Sequence, residues 1–440
     1  MRTSESQTTT ETKLKRIAWL SSRDKDKQFG SLMHHFSESS LKECFHQLSG
    51  DRAVGVDGIK KAEYAENLDE NLRSLTERMK QMAYRPGAVR RVLIPKEGKP
   101  NATRPLGISN FEDKIVQKMM QQVLENIYEP IFLNCSYGFR PKRGCHDAIR
   151  ALHHYLYSHE VQTVIDIDIS KYFDSIGHDA LLAVLRKKIS DRRFMRYVVR
   201  MLKSGVLTAG ELTVSDEGVP QGSICSPVLA NIFAHYVLDE WFEDVVKRHC
   251  VGQVELFRYA DDAVICCQYE SDAKRILRAL AKRLEKYGLK LNEEKTRLVS
   301  FSRKLYKQGI KQDPFDFLGF TFYIGHSRKG TAIPKLKSSG KRIRVKLKRV
   351  NQWSNSVRSQ YRLKEIWRMF CAKLAGHIQY YGVSFNIANV QKFLYASARI
   401  LYKCLNRRSQ RKSFNWEQFN LFMRANPLPK VKVYHTLILT

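Results

Sequence analysis

An α+β fold class follows from three observations on the sequence. Residues 161–169 form an apolar, β-branched run interrupted by Asp166 and Asp168, and an amphipathic helix over 179–189 comes after it, with Leu181, Leu182, Leu185 and Ile189 on one face. Leu256, Phe257 and Tyr259 on one side, and Val264, Ile265, Cys266 and Cys267 on the other, flank a turn and read as a β-hairpin. A helix over 271–288 and a strand over 296–301 close the series. In order these are β-α-β-β-α-β, the split βαβ arrangement, with a large insertion between the first helix and the hairpin. The last quarter is strongly basic, and 440 residues suffice for two or three domains with a core each.

Residues 1–13 are rich in Ser, Thr and Glu without an apolar stretch, so no secretory leader is expected, and the polar tail before residue 31 reads as mobile. Residues 31–48 have helical character, 50–58 are a Gly/Asp-rich break, and 62–82 form a second amphipathic stretch. A strand over 89–94, a polar turn over 95–100 and Arg104-Pro-Leu-Gly-Ile108 make a hairpin with basic groups near its tip. A helix spans 111–128, and the loop 136–141 leads into a helix holding Ala148, Leu152 and Tyr155. The helix over 271–288 starts at Ser271-Asp272, turns Ile276, Leu277, Leu280, Leu284 and Tyr287 inward, and ends at Gly288.

The hairpin carries Tyr259-Ala-Asp-Asp262, with Ala260 to Ala263 as its turn. Asp is a common turn residue, so the pair alone does not define a site. The topology adds the decisive step. In a split βαβ unit the first two strands run the same way and end at the same sheet edge, which gathers Asp168, Asp261 and Asp262 into a three-carboxylate cluster. Like charges at such spacing are costly to ionise unless cations lie among them. Two Mg2+ ions, about 3.5 to 4 Å apart, are the usual solution, and they serve in-line phosphoryl or nucleotidyl transfer.

Charge bounds the partners. The net charge is +32, and residues 328–440 hold 25 Lys and Arg against two acids, Glu365 and Glu417. A polyanion is expected, and the interleaved Trp353, Trp367, Tyr380, Tyr381, Tyr395, Tyr402 and Trp416 favour nucleic acid over a membrane surface. The ordinary role of such rings is helix packing, which leaves recognition mainly to the cations. No run approaches the roughly 18 to 20 apolar residues of a membrane span, so a cytoplasmic location is expected. Nine scattered cysteines without C-x2-C spacing fit small buried hydrophobes rather than structural zinc.

Several motifs occur in a fixed order. Asp168-Ile-Ser-Lys-Tyr-Phe173-Asp, Gly218-Val-Pro-Gln221-Gly222-Ser-Ile-Cys-Ser-Pro227 and Tyr259-Ala-Asp-Asp262 resemble the first catalytic motif, the template and nucleotide-positioning motif and the signature box of reverse transcriptases. Arg104-Pro-Leu-Gly-Ile108 and Tyr137-Gly-Phe-Arg-Pro141 resemble the fingers motifs, Leu291-Asn-Glu-Glu-Lys295-Thr the later palm motif, and Phe317-Leu-Gly-Phe320 the primer grip. Over residues 50–435 the chain resembles the proteins encoded by group II introns, with Ile366 to Gly382 similar to their maturase-specific region. The resemblance implies a right-hand polymerase, its fingers and palm built on the split βαβ core, followed by an all-α basic thumb/maturase domain. The expected divisions are an N-terminal extension over 1–60, fingers and palm over 61–330, and thumb/maturase over 331–440.

Roles follow from the resemblance position by position. Asp168 and Asp261 bind both metal ions and Asp262 helps hold the site; Lys295 protonates departing pyrophosphate. Lys96 and Arg104 clamp the triphosphate, Phe173 lies under the incoming sugar as a steric gate selecting dNTP substrates, and Gln221 sits near the nucleotide. Lys341, Arg342, Arg344 and Lys346 track the template and primer backbone, and Arg407, Arg408, Arg411 and Lys412 form a second RNA-binding cluster. Ser223-Ile224-Cys225 departs from the more usual glycine and aliphatic residues. The implied partners are group II intron RNA, an RNA template with a DNA primer, and target DNA, with monomer and dimer both open. The implied function is RNA-directed DNA polymerisation with assistance to splicing and retrohoming. No Cys-rich or His-Asn-His-like nuclease segment is present, so second-strand cleavage is not expected. Alternatives are a domesticated enzyme of DNA repair or phage defence, and an RNA-binding splicing factor.

Overall fold

A computed structural model describes residues 9–95, 102–208, 211–219, 222–408 and 415–437. Its N-terminal part holds helices α1 (Thr10–Arg23), α2 (Glu38–Gln47), α3 (Lys61–Glu66) and α4 (Leu68–Lys80), strands β1 (Val89–Pro95) and β2 (Thr103–Ile108), and helices α5 (Phe111–Tyr128) and α6 (Cys145–Ser158). Residues 10–23 are therefore not a loose tail. Leu14 and Ile17 are buried in the main core, and the Ser21 hydroxyl donates to the Ile127 carbonyl at 2.6 Å on α5. The helical character read over 31–48 divides at Ser37, whose hydroxyl accepts from the Ser40 amide and caps α2. Asn67 likewise separates α3 from α4 where one amphipathic stretch was expected.

The middle of the chain holds β3 (Thr163–Asp168), α7 (His178–Arg186), α8 (Arg192–Leu202), β4 (Val206–Thr208), β5 (Glu211–Thr213), α9 (Ser226–Ala234), α10 (Lys247–His249), β6 (Val254–Tyr259), β7 (Asp262–Cys267), α11 (Glu270–Glu285) and β8 (Arg297–Ser300). Strands β3, β6, β7 and β8 form one sheet in the order β6-β7-β3-β8, antiparallel at every pairing. Because β3 and β6 both oppose β7, they run in the same direction and end at the same edge, as the split βαβ reading requires. A second sheet, in the order β2-β1-β4-β5, joins the N-terminal hairpin to the insertion through a parallel β1–β4 pairing.

The C-terminal part adds α12 (Arg303–Lys307), β9 (Phe315–Phe317), β10 (Phe320–His326), β11 (Ala332–Ser338), α13 (Gly340–Val357), α14 (Leu363–Tyr381), α15 (Ile387–Leu405) and α16 (Trp416–Ala425). Strands β11-β10-β9 make a third sheet, so the segment expected to be all-α from residue 331 begins with a strand and turns helical only at Gly340. The alternation in Ala332-Ile-Pro-Lys-Leu-Lys-Ser338 explains this: Ala332, Pro334, Leu336 and Ser338 face inward with period two.

The two faces of the central sheet enter different cores. Ile165, Ile167, Leu256, Ile265 and Cys267 pack with other helices of the N-terminal and middle parts, while Val164, Phe257, Val264 and Cys266 share a core with α6, β9, β10 and the C-terminal helices. Each fully buried large apolar side chain contributes about 1.5–3 kcal/mol, so both covers hold the sheet edge in place.

Candidate active site

The carboxylates are positioned by backbone pairing. In the β6–β7 hairpin Tyr259 lies opposite Asp262, which leaves Ala260 and Asp261 as the turn; the turn is two residues, not the four from Ala260 to Ala263. Ala260 has φ 57°, and a positive φ at only the first turn residue is the type II′ pattern, usually occupied by glycine. An alanine held there is strained. Across the β3–β7 pairing Asp168 lies directly opposite Asp262, so the sheet register itself brings together acids from two distant motifs.

The hairpin is braced from behind by Arg258, a residue that the sequence reading did not single out. It is 1% exposed. Its Nε donates to Asp239 Oδ1 at 2.7 Å, one Nη to Asp239 Oδ2 and to the Ser136 hydroxyl at 2.7 Å, and the other Nη to Asn231 Oδ1 and to the Ala260 carbonyl, both at 3.1 Å. All five donors are satisfied. Burial disfavours its charge, yet Asp239 holds the guanidinium charged and raises its pKa. Asp239 ends a π-helical widening over His235–Asp239 that continues α9, a departure common at functional sites. Gly138 closes the brace: a β-carbon there would lie 2.5 Å from the Ala260 nitrogen, so only glycine lets the 136–141 loop lie against the turn. The available sequence signal was a lone arginine inside an apolar strand.

Lys295 reaches the same edge by another route. The Asn292 amide donates to the Asp168 carbonyl at 2.8 Å and the Ser170 amide to the Lys290 carbonyl at 2.9 Å, stitching the 290–296 turn to the end of β3. The Lys295 ammonium then bonds both Asp168 carboxylate oxygens, at 2.9 and 2.8 Å. Asp166 is paired instead with Arg297 at 2.9 Å. A 490 Å³ pocket is lined by Asp168, Asp262, Lys295, Asp316 and, from the start of α13, Lys341 and Arg342.

Asp262 opens to solvent at the start of β7, but the protein packed around its carboxyl desolvates it and pushes it up to about 6, with Asp261, Asp168 and Asp166 adding to the rise and Arg342 opposing it. Burial also raises Asp261, to which Asp168 adds, while Arg104 and Lys295 pull it down. These carboxylates thus destabilise one another's charged forms, and their hard oxygen donors fit a divalent cation. Among the described residues no three ligating side chains already close around one point; the Lys295 ammonium lies on Asp168.

Arg104 stands in β2 opposite Ile94, close enough for its charge to act on Asp261. Phe173 lies in a 3-10 turn just after β3, 9% exposed, and its carbonyl accepts from the Val219 amide at 2.8 Å, which brings the Gly218 motif alongside. Gly222 has φ 110°, and a β-carbon there would lie 2.3 Å from the Gly107 carbonyl oxygen, so glycine alone allows this motif to rest on β2. The unusual Ile224 and Cys225 are anchored on α5: the Ile224 amide and the Cys225 thiol donate to the side-chain and backbone oxygens of Gln117. Lys96, Gln221, Arg411 and Lys412 lie outside the described residues.

The C-terminal cations divide. Arg342 lies against Gly319 and lines the carboxylate pocket, and Lys346 covers the Tyr381 ring at 4.4 Å. Lys341, Arg344, Arg407 and Arg408 are exposed, with Arg408 also donating to the Tyr361 carbonyl at 2.9 Å. Trp367 and Tyr381 are buried, and the Tyr380 hydroxyl donates to the Leu318 carbonyl at 2.7 Å, so these rings pack rather than recognise.

Residues 94–322 match the family described as reverse transcriptase (RNA-dependent DNA polymerase). The chain belongs to the reverse transcriptase family. The protein is accordingly an RNA-directed DNA polymerase of right-hand fold, in a family that uses divalent metal ions and deoxynucleoside triphosphates. This reverse transcriptase is 31% identical to Protein YkfC of Escherichia coli over 64% of the chain and 78% of YkfC. It is 32% identical to the group II intron-encoded protein LtrA of Lactococcus lactis over 50% of the chain, and 42% identical to an uncharacterised 91 kDa protein in the cob intron of Schizosaccharomyces pombe over 40%. Those two alignments span only 37% and 21% of the respective relatives. No described helix of this reverse transcriptase is long and apolar enough to cross a membrane.

Proposed function

We propose that this reverse transcriptase acts for a group II intron, binding the intron RNA, assisting its splicing, and copying it into DNA from a primer at the target site. The carrying observation for the chemistry is the register pair Asp168–Asp262 with Asp261 in the adjoining turn. The intron assignment draws on the similarity to LtrA and on the cation excess beyond residue 328. In this reading fingers and palm occupy residues 61–330, residues 331–440 are thumb and maturase, and residues 1–60 are an extension.

Asp168 and Asp261 would hold two magnesium ions, with Asp262 helping to keep the site in shape. When bound, the ions would neutralise the carboxylates and polarise phosphate oxygens for nucleotidyl transfer. Lys295 would exchange its Asp168 partner for the departing pyrophosphate and pass it a proton from Nζ. Arg104 would clamp the triphosphate together with Lys96, Phe173 would reject a 2′-hydroxyl beneath the sugar, and Gln221 would contact the nucleotide. Lys341, Arg344 and Lys346 would follow the template and primer backbone with Arg342, while Arg407, Arg408, Arg411 and Lys412 would meet intron RNA.

The test separates polymerisation from RNA binding. Asp261→Ala should abolish extension of oligo(dT) on poly(rA) while intron RNA binding and splicing assistance persist. Equal loss of both would defeat the separation, and failure of the wild-type protein to promote splicing of a precursor carrying its flanking RNA would remove the maturase role.

A further inference from the structure

Between α13, α14 and α15, away from the carboxylates, lies a cavity of 310 Å³ with Trp353, Phe370, Leu374 and Phe393 among its apolar walls. Its size is at the lower end of small-ligand sites, which run from about 300 to 1,000 Å³. An imidazole lies among these walls. His377 is 6% exposed and lines the cavity, and neither of its ring nitrogens has a hydrogen-bond partner among the described residues. It is held between rings, 3.8 Å from the Phe393 centroid and 4.6 Å from that of Tyr381. Burial, reinforced by Lys346, pushes its pKa down to about 3, so at neutral pH it presents one donor and one acceptor. Lys346, Arg349 and Lys373 also line the cavity, Lys373 lying over the Trp353 ring at 5.2 Å.

We propose that this cavity receives a single unpaired nucleobase turned out of bound RNA. The three requirements of the site coincide in that ligand. A base offers a flat face for the aromatic walls, an edge whose donor or acceptor can meet one nitrogen of the neutral imidazole, and flanking phosphates for the three cations. A free phosphate would match the cations but not the walls, and an apolar side chain would match the walls but leave His377 unpaired. Paired RNA cannot present a base face, so the site selects bulges and loops. The inference rests on the RNA-binding reading and adds to it a structural preference.

The experiment compares two RNA hairpins, one with a single bulged 2-aminopurine and one without the bulge, binding to the full chain across a salt series. The bulged hairpin should bind about tenfold more tightly, within the range expected for stacking one base, and its 2-aminopurine fluorescence should change on binding. Gly376 lines the cavity, and a β-carbon there has nothing within 4 Å, so Gly376→Met should obstruct the site without unfolding α14. That variant should lose the preference while its melting temperature does not fall, and His377→Phe should lose it too. Equal affinities for the two hairpins, or a preference that survives Gly376→Met, would overturn the pocket while leaving RNA binding intact. No salt-dependent binding of either hairpin would overturn the RNA-binding reading along with it.

Discussion

The edge of the central sheet and the cationic surface of the C-terminal helices both concentrate charge, but they hold it in opposite ways. At the sheet edge each charged group has a fixed address: Asp168 and Asp262 face each other in register, Lys295 is tied to Asp168, and Arg258 is locked by five hydrogen bonds. On the helices Lys341, Arg344 and Arg407 are exposed, and charge acts there by number and placement rather than by single contacts. Fixed groups support chemistry, which depends on sub-ångström position. Exposed cations support counterion release, which depends on how many phosphates are met.

This contrast can be broken at graded points. The largest effect is expected from Asp168→Asn, which should lower primer extension on the order of 10³-fold or more while leaving RNA affinity nearly unchanged; a parallel fall in affinity would show that the edge also anchors RNA. Next, Asp239→Leu leaves the Arg258 charge buried and unpaired and should destabilise the fold by about 3–5 kcal/mol in denaturant melts. The double variant Asp239→Leu with Arg258→Met should regain much of that stability but not the polymerase rate; full recovery of the rate would show that the brace does not position the turn. Phe173→Ala should raise ribonucleotide incorporation roughly tenfold, the scale of one altered steric contact, and unchanged sugar discrimination would dismiss the gate. The smallest effect belongs to the helices. Neutralising Arg407 and Arg408 should reduce the slope of log affinity against log salt by about 0.7 to 0.9 for each phosphate that is no longer neutralised, and an unaltered slope would place the bound RNA elsewhere.

The same contrast explains what was legible. Motif residues at the sheet edge could be assembled from the chain alone because strand order fixes which ends meet, and Asp168 does lie against Asp262. Arg258 escaped because its importance is three-dimensional: its partners are Ser136 in a distant loop and Asn231 and Asp239 on α9 and its continuation, and one arginine in a mostly apolar strand gives no hint of where its counter-charge lies. The strand at Ala332–Ser338 was hidden by lysines and a proline that lower its apparent strand character, although its inward positions alternate cleanly. Arg342 looked like one more cation of a basic helix until the turn before α13 placed it beside the carboxylates.

The division of the central sheet's faces between two cores has a consequence for how this protein can be shortened. Val164, Phe257, Val264 and Cys266 share their core with α6, with β9 and β10, and with the helices beyond Gly340. A fragment stopping before β9 would keep all three carboxylates and the α6 cover, yet would leave the rest of that shared apolar core open to water, a surface prone to self-association. The carboxylate edge and the basic helices are therefore joined through one shared core, and a minimal soluble fragment of this chain would need that core's open side redesigned rather than merely uncovered.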